Sequence, residues 1–144
     1  MAEGRHVISR IGQTLVVTLE GAADAGALSA ASHVLAEMQM RHGADSVVLE
    51  VSGCEVIDLD EFMELQKVVR TMQWLGLRCV IAGLRPGIVA YLASAGISAG
   101  SLTTSIDLEL ALLELNPSRD EPEPETQANS ELEPEYEPDD ARPL

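Results

Sequence analysis

At 144 residues and a formal charge of -15, the chain has room for one domain with a real core. It lacks the clustered Lys and Arg that a nucleic-acid or anionic-membrane binder uses to displace counterions, so neither class of partner is expected. No apolar run approaches the roughly 18–20 residues of a membrane span and MAEGRHVISR has no apolar signal core, which points to a cytoplasmic protein.

The elements alternate along the chain. Residues 6–11 and 14–19 form two short β-type runs around Gly12-Gln13, a hairpin pattern. Asp24 can N-cap a helix in which Leu28, Ala31, Leu35 and Met38 recur at spacings of three to four. SVVLEV (46–51) is a β-branched, nearly continuous apolar run, the signature of a strand covered on both faces. A second helix then turns Phe62, Leu65, Val68, Val69 and Met72 inward and stops at Gly76, and RCVIAG (78–83) reads as another buried strand. Pro86 suits the first turn of a third helix that buries Ile88, Val89 and Leu92 and ends at Gly96. LTTS is a candidate last strand, with Ser105 or Asp107 capping a final helix through Leu115. Strands separated by helices of this length imply an α/β fold with a mostly parallel sheet.

Composition breaks near Asn116. Residues 116–144 hold ten acidic residues, two arginines and six of the seven prolines, a charge of -8 that leaves about -7 for residues 1–115. Such a segment cannot bury enough apolar surface to offset its ordering entropy. The expected organisation is a folded domain over 1–115 and an acidic, Pro/Glu-rich disordered tail over 116–144, most simply a solubilising extension and alternatively a docking segment for a basic partner.

Catalytic chemistry is not legible. The link LEGAADAGAL lacks the glycine pattern of a Rossmann or P-loop phosphate site. His6, His33 and His42 are scattered, with no second ligand at helical spacing, and Ser52 and Ser101 have no GxSxG frame. Cys54 and Cys79 show neither CxxC nor CxxxH spacing and read as buried hydrophobes in a reduced compartment. The acidic group Asp58, Asp60 and Glu61 in CEVIDLDEFMEL could attract a hard cation. The same three residues at a helix start complement the helix dipole, which accounts for them without a metal. No catalytic residue, metal or cofactor is therefore assigned, and a carboxylate-based metal-dependent enzyme is only a remote alternative.

The element order, VVLEVSGCEVID leading into a helix, and GLRCVIAGLRPGIVAYLASAGI together resemble the STAS domain of sulfate transporters and anti-sigma factor antagonists. Over roughly residues 6–115 the likeness is greatest to the RsbS-like antagonist subunit of stressosomes, where a G-[IL]-[RQ]-P segment matches Gly83 to Pro86. The resemblance implies a STAS fold, a four- to five-stranded mixed sheet with about four helices packed on it. It also implies regulation by binding: the loop after the central strand and the start of the next helix are offered to an RsbT-like switch kinase, and RsbR-like STAS co-antagonists join the chain in a homo- or hetero-oligomer. A stand-alone STAS partner of a transporter, with no kinase, is the alternative.

In many members of the family a Ser or Thr directly after an Asp at this loop is phosphorylated. Counting back from Gly83 and Pro86 places Asp58 on that Asp and Leu59 on the phosphoacceptor; the first strand-helix junction shows Asp24 followed by Ala25. Both acceptor positions are thus empty: the switch is either gone or moved to another hydroxyl, Thr71, Thr103 and Thr104 being the alternatives, and a constitutive scaffold or partner-binding subunit is expected. Asp60 and Glu61 could supply a permanent, weaker version of the phosphate field or simply cap the helix. Leu59, Phe62 and Met63 are expected to expose apolar surface to a partner, unless Leu59 folds back as a hydrophobic staple. The candidate partner-binding surface is therefore Asp58, Leu59, Asp60, Glu61, Phe62, Asp24 and Ala25.

Overall fold

The computed structural model describes residues 4–97 and 102–117, so the expected tail, apart from Asn116 and Pro117, lies outside the described residues. A five-stranded sheet runs in the order β1-β2-β3-β4-β5. Its strands are β1 (Arg5–Ile11), β2 (Thr14–Glu20), β3 (Ser46–Gly53), β4 (Arg78–Ala82) and β5 (Thr103–Ser105). The helices are α1 (Ala25–His42), α2 (Leu59–Trp74), α3 (Pro86–Ser94) and α4 (Leu108–Leu115). β1 and β2 form the expected antiparallel hairpin, with Ile11 opposite Thr14. The pairs β2/β3, β3/β4 and β4/β5 are parallel, because each return stroke is made by a helix.

Strand alternation sorts the apolar side chains into two layers. Leu15, Val17 and Leu19 of β2, Val47, Leu49 and Val51 of β3, and Cys79 and Ile81 of β4 join residues of α1, α2 and α3 in one large core. The intervening Val48, Val80 and Ala82 pack with Ala111 and Leu115 of α4 on the opposite face. β3 is therefore covered on both sides, as its continuous apolar run requires.

The short α4 needs polar fastening because it buries few side chains. Arg78 donates from Nη2 to the Leu115 carbonyl at 2.9 Å, satisfying a carbonyl that the helix end leaves unpaired. Asn116 Nδ2 donates to Thr14 Oγ1 at 3.3 Å, and the Thr14 and Ser46 hydroxyls share a buried hydrogen bond of 2.8 Å. Asp107, rather than Ser105, caps this helix: its carboxylate accepts from the Leu110 amide at 2.9 Å.

One expectation of burial and one of exposure fail. Val89 is 48 % exposed, because Ile88 and Leu92, four apart, already set the buried side of α3 and the next residue is rotated about 100° away from it. Phe62 is 3 % exposed and belongs to the main core rather than to the surface.

Candidate functional site

The parallel strands β2, β3 and β4 all deliver the chain to one end of the sheet. The β2–α1, β3–α2 and β4–α3 junctions consequently lie side by side, the usual location of sites in open α/β sheets. A backbone bond joins the first two: Gly21, at φ +83°, donates to the Gly53 carbonyl at 3.2 Å, and within the second junction Cys54 donates to the Val51 carbonyl at 2.9 Å.

Each of the first two junctions ends in an aspartate that starts a helix. Asp24 accepts from the Ala27 amide at 2.8 Å, while its other oxygen accepts from Gly4 at 3.3 Å. Asp58 accepts from the Glu61 amide at 2.8 Å, and the Glu61 carboxylate accepts from the Asp58 amide at 3.1 Å. This reciprocal pair is a capping box. The carboxylates of Asp58 and Glu61 thus satisfy helix amides, while Asp60, exposed at the second helical position, has no such duty. Replacing Asp58 by Ala should destabilise the protein by about 1 kcal/mol, read from the denaturation midpoint at unchanged slope; a loss below about 0.3 kcal/mol would show that the box contributes nothing.

Leu59 is the first residue of α2 and is half-buried. It does not serve as the staple. The staple positions flank the cap at Ile57 and Phe62, which are 1 % and 3 % exposed and share the main core. Met63 is 50 % exposed, as expected of a contact residue.

Asp24, Ala25, Asp58, Asp60 and Glu61 line one groove together with Lys67. Leu59 and Phe62 are not among its lining residues. The groove is strongly anionic, and its one cation, Lys67, already bonds Glu64 at 3.2 Å. Among the described residues, no three His, Cys, Asp or Glu side chains converge as a metal-binding set.

On the far side of Asp58 lies a second, more apolar crevice, whose lining includes Val56, Ile57, Arg85, Ile88 and Tyr91. Val56 is 70 % exposed and Tyr91 46 % exposed. Sequence reasoning missed this crevice. Its signal was an apolar Val56 between the acidic Glu55 and Asp58, beside the buried Ile57, and a tyrosine next to the buried Leu92. Beneath the loop, Cys54 is fully buried, and desolvation with the nearby Glu61 and Glu50 carboxylates pushes its thiol up to about 11. Burial alone raises the Cys79 thiol to about 12.

No protein-family model matches the sequence, and no curated protein matches it. Solved structures do. Moorella thermoacetica RsbS carrying a serine-to-glutamate substitution superposes with a TM-score of 0.66 at 24 % identity, over 80 % of this chain and 98 % of that one. A chain of the stressosome, described as a signal integration and transduction hub, gives 0.64 at 20 % identity, over 80 % of this chain and all of the other. The murine anion transporter Solute Carrier 26 family member A9 gives 0.61 at 13 % identity, over 81 % of this chain but only 22 % of the transporter. With its five-stranded mixed sheet and four helices laid out as in these proteins, the chain has the STAS fold.

Proposed function

We propose that the chain is a non-enzymatic STAS-domain regulatory or scaffold subunit of a cytoplasmic bacterial stress-signalling complex. In this reading it binds RsbR-like STAS subunits and an RsbT-like serine/threonine kinase through the surface around Asp58. The observation that carries it is the juxtaposition of two Asp-capped helix starts, Asp24-Ala25 and Asp58-Leu59, at one end of the sheet, with both aspartates lining the same groove. Likeness to RsbS and to a stressosome chain supports the choice of complex. With Leu59 in the acceptor position, the contact is constitutive rather than switched. Asp60 is the better candidate for a fixed charge, since the Glu61 carboxylate is held by the Asp58 amide.

Co-expression with an RsbR-like subunit should yield a particle of megadalton scale by size-exclusion chromatography with light scattering, and that particle should retain the kinase. A chain that stays monomeric in the presence of both partners would overturn the reading. The Asp60→Asn variant should bind the kinase with altered affinity, and unchanged affinity would remove the fixed-charge idea.

The likeness to the transporter's STAS portion supports a second reading, a stand-alone subunit that docks on a transport protein. Co-purification with a membrane transporter instead of a kinase would favour it.

A further inference from the structure

In the segment Gly83 to Pro86, which leads into the proline start of α3, the arginine has a long-range partner. Arg85 donates to the Ser52 carbonyl from both Nε, at 3.0 Å, and Nη2, at 2.8 Å. Ser52 is the penultimate residue of β3, and the loop that follows it carries Val56, Ile57 and Asp58 into α2. Gly83 makes the approach possible: at φ +84° a side chain is strained, and a Cβ there would lie 3.0 Å from Ser52 Cβ and 2.6 Å from Glu50 Oε2. Pro86 then fixes the first turn of α3, so the guanidinium projects from a stiff helix start. The Ser52 hydroxyl is itself bonded to Glu50 at 3.0 Å, which holds the other side of the same residue.

We propose that Arg85 is a positioning residue that ties the end of β3, where the β3–α2 loop departs, to α3, so that the Asp58 helix start and the Val56–Tyr91 crevice move as one unit. Two donors on one carbonyl define both the distance and the direction of the loop relative to α3, which a single flexible contact would not. The anionic groove and the apolar crevice, which share Asp58, then form one continuous docking face. A partner engaging α3 thereby alters the helix start without touching it. The importance of this face rests on the docking reading above, whereas the tether itself can be tested with no partner present.

The chain contains its own reporters. Cys54 is fully buried directly after β3, beneath the tethered loop, and Cys79 is buried near the start of β4, at the opposite end of the strand from Arg85. Loosening the loop should expose Cys54 alone, and global unfolding should expose both. In the full-length chain at pH 8, with alkylation followed by mass spectrometry, Arg85→Ala should speed Cys54 modification about tenfold, equivalent to about 1.4 kcal/mol of local opening. Cys79 should change by less than about twofold. Arg85→Lys, which can offer one donor group to the same carbonyl, should fall between the two.

Electrostatics alone predicts the opposite sign. The Arg85 charge lowers the Cys54 pKa, so its removal without loop opening would make that thiol less reactive. Unchanged or slower Cys54 modification in Arg85→Ala would overturn the proposal, as would Cys54 and Cys79 accelerating together. If Cys54 alone accelerates while kinase binding is unaffected, the tether stands and the docking reading fails.

Discussion

Substituting Phe62 by alanine should destabilise the protein by about 3–5 kcal/mol, a large share of the roughly 5–15 kcal/mol that holds a typical domain together. The side chain is 3 % exposed and lies in the core shared by Leu65, Val69 and Ile57. Its removal therefore leaves a cavity where α2 begins, and the loss of the staple with Ile57 loosens the angle at which the chain enters the helix. Denaturant unfolding of the full chain measures the effect as a shift in midpoint with unchanged slope. Met63, one residue later and half exposed, should tolerate alanine within about 0.5 kcal/mol while weakening partner binding. A Phe62→Ala loss under about 1 kcal/mol would mean that α2 does not begin docked on the sheet as described.

The contrast between these neighbours shows what sequence can and cannot reveal here. The strands were legible because β-branched runs such as SVVLEV allow few alternatives, and the helices because Leu28, Ala31 and Leu35 keep a 3.6-residue period. Periodicity set the buried face of α2 and correctly turned Phe62 inward. The same residue could not also serve the surface, and expecting a partner contact there overrode a pattern that was already sufficient. In the nine-residue α3, Val89 was misplaced because two turns are too few to define the edge of an apolar stripe.

The candidate site divides along a similar line. Asp24 and Asp58 were readable as caps, since an N-cap acts on amides two or three residues ahead. Arg85 was not readable as a tether, because its partner lies 33 residues earlier in sequence and meets it only where β3 and β4 run in parallel. The assignment of α4 to the second face was equally hidden. The apolar run of β3 demanded cover on both sides but did not say which helix supplied it, and the Arg78 and Asn116 contacts that fasten α4 are again long-range.

On the proposal that Leu59 stands at the family's acceptor position, Leu59→Ser should install a phosphorylation site there. The position is the first residue of α2, directly after the capping Asp58 and only half-buried, so a serine hydroxyl there would be accessible at modest cost to stability. Incubation with an RsbT-like kinase and ATP should then add one phosphate, seen by intact mass, where the native chain acquires none at this residue. The phosphate would bring about -1.5 to -2 charges to the helix N-terminus. Attraction to the helix dipole favours it by roughly 0.3–1 kcal/mol. Against this stand the adjacent carboxylates of Asp58, Asp60 and Glu61. Each unit-charge pair at about 5 Å repels by roughly 3 kcal/mol at an effective dielectric constant near 20, and by under about 1 kcal/mol where solvent screens it. Three such pairs outweigh one dipole even after screening, and the phosphate would also compete with Asp58 for the Glu61 amide. The expected result is a helix start less stable by about 1 kcal/mol and a partner affinity at least about tenfold weaker, with Leu59→Glu giving about half the change in free energy because it adds about half the charge. A Leu59→Ser protein that an active kinase leaves unmodified would show that Leu59 does not occupy the acceptor position, and the constitutive character of the contact would then need another cause.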